Sequence, residues 1–227
     1  QMLYRPLRQI ADKFNSLQMG MVAGDRVFKI IDTDSKISND GSLVLDKAKG
    51  KIDFEEVKFS YIEEEPVLKG INLHINPGET IAIVGATGAG KSTIINLINR
   101  FYEIDSGRIK VDGQDVKAYT LESLRSQVGV VLQDVFLFSD TILNNITLQD
   151  ESISRDEVIE AAKSIGIHDF IMSLPGDYDY NVKERGAMLS AGQRQLIAFV
   201  RGYVSNPGIL ILDEATSNLD GQSENLI

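Results

Sequence analysis

Apolar residues at Leu3, Leu7, Ile10, Phe14, Leu17 and Met21 recur in steps of four and three, the spacing of a stripe along a helix at coiled-coil period. Pro6 fits such a helix only in its first turn or at a kink. The stripe admits two readings, a helix docked on its own domain or a stalk that packs on other helices. Periodicity lapses from Asp32 to Gly50, where Asp32-Thr-Asp-Ser and Asn39-Asp-Gly-Ser read as a linker and place a domain boundary. From Lys51 the pattern shortens. Ile52, Phe54, Val57, Phe59 and Tyr61 roughly alternate with polar residues, and Val67 to Ile75 forms a second run stopped by Asn76-Pro-Gly-Glu79, which predicts two antiparallel strands. Ile81-Ala-Ile-Val84 is a continuous apolar run, expected as a short buried strand, and Ile94, Leu97, Ile98 and Phe101 then return to helical spacing. Residues 153–174 read as helical, with Ser154 and Glu157 placed for a capping box and Val158, Ala161, Ala162 and Ile165 on one face. Ile209-Leu-Ile-Leu212 is another continuous apolar strand. The pattern predicts an α/β fold with an antiparallel start, a helical insertion and a separate N-terminal helix.

Composition narrows the function classes. A chain of 227 residues that is 43% hydrophobic can bury a sizeable core, most simply as one α/β domain with attachments. Its 23 basic and 33 acidic residues leave a net charge of −10, which argues against broad nucleic-acid binding while allowing a local cationic phosphate cradle. Residues 1–31 carry five basic and two acidic side chains, a hint of a membrane-proximal or partner-facing start. There is no cysteine, so disulfides and thiolate metal sites are excluded and the chemistry must come from oxygen and nitrogen groups. No run of 18 apolar residues and no signal-peptide core is present, and the start at Gln1 reads as that of a fragment. His74 and His168 lie in a strand run and a helical stretch, and both are assigned to packing or surface.

The chemistry concentrates at Gly85-Ala-Thr87-Gly88-Ala89-Gly90-Lys91-Ser92, a full match to the phosphate-binding loop G-x-x-x-x-G-K-[ST] between a strand run and a helix. Glycines let the backbone turn successive N–H groups toward a triphosphate, and the following helix adds the positive end of its dipole. Lys91 is expected to neutralise β- and γ-phosphate oxygens and Ser92 to ligate Mg²⁺, with Thr93 completing the binding set. Asp213 and Glu214 close the apolar strand 209–212. In an open parallel sheet, strand carboxyl ends line the ligand crevice, so this pair is expected to face the same place as Lys91. Asp213 suits Mg²⁺, and Glu214 suits a base that orients and deprotonates an attacking water.

Leu189-Ser190-Ala191-Gly192-Gln193, a short way before Asp213, resembles the LSGGQ signature of ATP-binding-cassette (ABC) ATPases. The resemblance covers about residues 51–221. By it, Tyr61 matches the aromatic that stacks on adenine. Gln133 matches the glutamine between sheet and helical subdomain, a catalytic and Mg²⁺ contact beside Ser92 and Asp213. Ser217-Asn218-Leu219-Asp220 matches the loop after the acids, with Asp220 at the interface. Within that family Val131 to Ile146 and Val182-Lys-Glu-Arg-Gly186 are similar to exporters, and Asn15-Ser-Leu-Gln18 and Arg26 to Asp32 are similar to the end of the last transmembrane helix of half-transporters.

The resemblance implies a stalk over 1–31, a linker over 32–50, and a nucleotide-binding domain over 51–227 with a helical subdomain at about 134–200. It implies ATP and Mg²⁺ as cofactors and a place on the cytoplasmic face of a cell membrane. The implied partners are a transmembrane domain of the same chain and a second nucleotide-binding domain, as a homo- or heterodimer. That second copy would present Ser190, Ala191, Gly192 and Gln193 to the nucleotide held by Lys91. No nucleic-acid partner is implied, and the transported substrate would be chosen by membrane helices. The chain departs from the family pattern in Ala191 for the usual Gly, in Asn218 for the usual Ala, and in reaching Ile227 before a switch histidine. Other readings are an importer subunit, a soluble non-transport ABC ATPase, or a hydrolysis-impaired nucleotide-binding module.

Overall fold

The computed structural model describes residues 4–33 and 37–213. The chain divides into two compact units, residues 1–38 and 39–227, each taken by itself below.

Among its described residues the first unit holds one 28-residue helix, α1 (Tyr4–Ile31), with no buried residue. Pro6 falls in its first turn, where its missing N–H would have had no intrahelical partner. The apolar stripe Leu7, Ile10, Phe14, Leu17 and Met21 is exposed along its length. Gly20 and Gly24 sit one turn apart in its second half, with open space where a Cβ would stand.

The second unit begins with the antiparallel pair expected from the sequence, β1 (Ile52–Ser60) and β2 (Pro66–Ile75). It continues with α2 (Lys91–Ile98), β3 (Ser106–Val111), β4 (Gln114–Asp115), α3 (Leu121–Ser126) and β5 (Val128–Val131). The remaining elements are α4 (Ile142–Thr147), α5 (Arg155–Ile165), α6 (His168–Met172), α7 (Ala191–Val204) and β6 (Ile209–Leu212). The strands form an antiparallel sheet in the order β2-β1-β3-β4 and a parallel pair β5-β6. In β1 the alternation is only rough because the register shifts between Phe54 and Val57, where Glu56 takes a positive φ of 49°. An extra residue at that bulge returns Val57 to the buried face.

Two cores result. One packs Ile52, Phe54, Val57 and Phe59 of β1 against Leu68, Ile109 and Val111 and against Ile94, Leu97 and Ile98 of α2. The other joins Ile142 and Ile146 to Val158, Ala161, Ala162 and Ile165 of α5 and to Leu196, Ile197 and Val200 of α7. The expected capping box at Ser154 and Glu157 is formed, and α5 ends at Gly166, which breaks the predicted 153–174 helix into α5 and α6. Strand β5 meets α7 so closely that a Cβ on Gly129 would lie 2.5 Å from the carbonyl oxygen of Gly202. The stretch read from the sequence as a linker is packed in part: Leu43 bridges to Tyr119, and Leu45 and Ala48 are buried in the first core.

A further element differs from expectation. The run Ile81–Val84 forms no strand, and Ile81, Ile83 and Val84 are 37%, 39% and 88% exposed. Ile81, Ala82 and Ile83 line a cleft together with β6, whose only ladder partner among the described residues is β5. Apolar β-branched composition favours a pleated, half-buried surface but makes no strand without a paired neighbour.

Candidate functional site

The turn that ends β2 is closed by a hydrogen bond from the Glu79 N–H to the Asn76 carbonyl (3.1 Å), and the Glu79 carboxylate accepts from the Asn76 N–H (2.9 Å). From it the chain runs through 81–84 into the phosphate loop. Gly88 and Gly90 there take φ of 82° and 93°, a left-handed backbone that a side chain disfavours. Gly90 has a second constraint, since a Cβ on it would lie 2.8 Å from Leu68 Cδ2. A bond from the Ala89 N–H to the Ala86 carbonyl (3.1 Å) tightens the loop.

Helix α2 starts directly after Gly90, which offers no capping side chain. Helices α3, α4, α5 and α7 are instead capped by Thr120, Thr141, Ser154 and Ser190. The first N–H groups of α2 thus keep their capacity for an anionic ligand, and the helix dipole adds to it. Lys91, the first residue of α2, folds its ammonium back over the loop and donates to the carbonyls of Gly85 (3.0 Å) and Ala86 (3.4 Å). Ser92 is exposed beside it, while Thr93 is buried.

Lys91 and Asp213 line one cleft of about 620 Å³, together with Gly78–Ile83, Ile94, Ile95 and β6. Lys91 and Asp213 thus border the same space, with the Lys91 ammonium held by the loop carbonyls. Asp213 is fixed through its backbone, whose N–H donates to the Val131 carbonyl (2.9 Å). The parallel register pairs Val131 with Leu212, so Gln133 and Asp213 follow adjacent strands at the same end of the sheet. Gln133 is exposed there. Ser92, Gln133 and Asp213 carry hydroxyl, amide and carboxylate oxygens, the donor type that a hard ion such as Mg²⁺ requires, and of the three Asp213 is the one that lines the cleft. Among the described residues no cluster of three or more His, Cys, Asp or Glu residues could hold a metal by itself.

Tyr61 directly follows β1 and is 47% exposed. Phe59 and Tyr102 meet its ring edge-to-face at 4.8 and 5.0 Å. Its hydroxyl donates to Thr93 Oγ1 (3.3 Å) and accepts from Asn96 Nδ2 (3.2 Å). An aromatic surface therefore stands at the flank of the helix that carries Lys91.

The signature residues open α7. Ser190 is the N-cap, its hydroxyl accepting from the Gln193 N–H (3.2 Å), while Gln193 Oε1 accepts from the Ser190 N–H (2.9 Å). Ala191 and Gly192 form the first turn. None of these four residues is among those lining the Lys91–Asp213 cleft. Helix α7 does reach the loop after β5. The buried Gln195 donates to the Leu132 carbonyl (3.2 Å), and Arg201 donates to the carbonyls of Asn145 (2.7 Å) and Phe136 (3.2 Å). Burial pushes the Arg201 guanidinium below its ordinary value. The segment 182–186 packs here too, for a Cβ on Gly186 would lie 2.9 Å from Leu137 Cδ1 and 3.0 Å from Arg194 Cδ.

Asn96, Gln195 and Arg201 carry no sequence signal of their own, since each acts on a partner far away in the chain. Glu214, Asn218 and Asp220 lie outside the described residues. Neither histidine enters the site: His74 bonds to Asp53 and Asn76, and His168 to the Tyr178 hydroxyl at 2.9 Å.

The family model described as ABC transporter matches residues 68–217. An uncharacterized ABC transporter ATP-binding protein of Bacillus subtilis (strain 168), YknV, is 43% identical over 224 residues, covering 98% of this chain and 37% of that protein. A putative multidrug export ATP-binding/permease protein of Staphylococcus aureus (strain NCTC 8325) is 51% identical over 203 residues, or 88% of this chain and 35% of that protein. The solved structure of a bacterial Atm1-family ABC exporter with ATP bound superposes with a TM-score of 0.82 at 41% identity, covering 100% of this chain and 40% of that one. The chain thus spans well under half the length of these relatives.

Proposed function

We propose, from the premise that the chain belongs to the ABC transporter family, that it is the ATP-binding and ATP-hydrolysing part of an exporter working at the cytoplasmic face of a membrane. The observation that carries this reading is the shared cleft. The uncapped α2 with Lys91 and the strand end with Asp213 border one space, whereas Ser190 and Gly192 stand at the head of another helix that does not line it. Backbone N–H groups of 85–92 and the Lys91 ammonium hold the phosphates, Tyr61 receives the adenine, and Ser92, Gln133 and Asp213 hold Mg²⁺. The ion, when bound, neutralises charge on the phosphate oxygens. A second nucleotide-binding domain supplies Ser190, Ala191, Gly192 and Gln193, so two nucleotides join two copies. Glu214 takes the proton of the attacking water, and Asp220 belongs to the interface. Within one copy, Gln195 and Arg201 tie the signature helix to the loop carrying Gln133, a direct route from nucleotide to membrane domain.

Glu214→Gln in the intact protein tests this assignment, because it keeps size and hydrogen bonding while removing the base. ATP binding is expected to persist while turnover slows by about 10²–10⁴-fold, with ATP-bound dimers accumulating on sizing. Turnover at the parent rate would withdraw Glu214 from the role.

A further inference from the structure

The hydroxyl of Tyr61 is held from two sides by residues of α2. It donates to Thr93 Oγ1 at 3.3 Å and accepts from Asn96 Nδ2 at 3.2 Å. Thr93 is buried and Asn96 half-buried, so both partners are fixed to the helix rather than swinging on its surface. Lys91 and Ser92 belong to the same helix turn as Thr93. Phe59 and Tyr102, both perpendicular to the Tyr61 ring, fix its tilt without supplying a polar contact. A free tyrosine in a strand-end loop would need its hydroxyl only for solvation. Here that group is spent on the helix that begins the phosphate cradle.

We infer that Asn96 and Thr93 are positioning residues that lock the Tyr61 ring to the phosphate-binding helix, so that the spacing between the base platform and the triphosphate cradle is set by one rigid element. The inference rests on the reading of Tyr61 as the adenine platform. It makes the hydroxyl, and not only the ring, part of nucleotide selection. A nucleoside triphosphate of the right reach meets a preformed ring and a preformed cradle together, and neither part must be ordered at the cost of affinity. A ligand with phosphates but no base gains nothing from the lock.

Calorimetric titration of the intact protein with ATP and, separately, with inorganic tripolyphosphate tests this. The variants are Tyr61→Phe, Asn96→Leu, their combination, and Tyr61→Ala. Asn96→Leu is expected to weaken ATP by about three- to tenfold, the scale of one net hydrogen bond, and Tyr61→Phe, which removes both bonds of the hydroxyl, by at least as much, with tripolyphosphate unchanged within about twofold in each. The combination is expected to be no worse than Tyr61→Phe alone, because removing the hydroxyl already removes the Asn96 contact together with the Thr93 one. Parent-like ATP affinity in Tyr61→Phe, with loss in Tyr61→Ala, would overturn the lock and keep the platform. Parent-like affinity in Tyr61→Ala would overturn the platform and the lock with it. Additive losses in the combination, or an equal loss of tripolyphosphate binding in Asn96→Leu, would also overturn the lock, since Asn96 would then act on the helix itself. Tyr61→Phe leaves α2 untouched and keeps the test decisive if Asn96→Leu does not fold.

Discussion

Gly90 bears two demands at once, a left-handed φ of 93° and a Cβ position 2.8 Å from Leu68 Cδ2. Gly90→Ala should therefore lose about 1–2 kcal/mol of stability from the backbone alone. It should also lose triphosphate affinity, because relief of the contact must move either β2 or the loop. Urea unfolding alongside ATP titration checks this, and an alanine variant with parent values in both would show that the loop does not depend on this geometry. At this scale much of the site was legible. The glycine loop leading into Lys91 and the strand end at Asp213 could be located because each is marked by residue type and short spacing next to a strand or helix. Asn96 could not, because the group it holds is 35 positions away and only the folding of β1 onto α2 brings the two together. The same limit hid Gln195, whose partner Leu132 is 63 positions away.

Between elements, α5 and α7 offer a controlled pair. Both begin with a complete capping box, Ser154 with Glu157 and Ser190 with Gln193, yet only the second belongs to the signature. Ser154→Ala and Ser190→Ala should each cost about 0.5–2 kcal/mol of stability. Only Ser190→Ala should lower ATP turnover further and weaken its dependence on protein concentration, since only that hydroxyl is proposed to serve a neighbouring copy. Activity assays across a dilution series, matched to denaturation curves, separate the two effects. Equal turnover in both variants would reduce Ser190 to a cap. Elements with strong local signals, the capped α5, the β1–β2 pair and β6, follow the pattern of the sequence. The run 81–84 does not, because its apolar residues report a preference for burial and the ladder that would bury them depends on a neighbour that no local pattern encodes.

For the whole molecule, the net charge of −10 and isoelectric point near 4.7 make acid pH the revealing variable. Several carboxyls are held below their ordinary value: Asp53 chiefly by its hydrogen bond to His74, and Glu157 by the Ser154 N–H and hydroxyl. For Glu103, burial is the largest single influence and acts upward, but the bonds and charges of Lys117 and Arg100 together outweigh it. Groups lowered in this way bind fewer protons folded than unfolded. Their contribution is complete above the unfolded carboxyl range and is lost as pH falls through the folded values. The urea midpoint should stay flat from about pH 7 to about pH 5 and fall below about pH 4. Because Glu157 is exposed while Asp53 and Glu103 are half-buried, salt at about 0.5 M should shrink the fall only in part. A midpoint that rises on acidification would contradict the sign. Solubility should pass through its minimum near the isoelectric point, so the series is best run dilute. Helix α1 adds a mechanical consequence of its own. Its two interior glycines, Gly20 and Gly24, contribute no side-chain packing to resist flexure, and glycine lowers helix stability by roughly 0.5–1 kcal/mol each. That turn is where glycine's weaker helix propensity falls. The segment before it acts as a lever arm about 24 Å long, so a flexure of about ten degrees at the glycines sweeps its far end through about 4 Å, and a small torque at one end of the rod becomes a displacement of atomic size at the other.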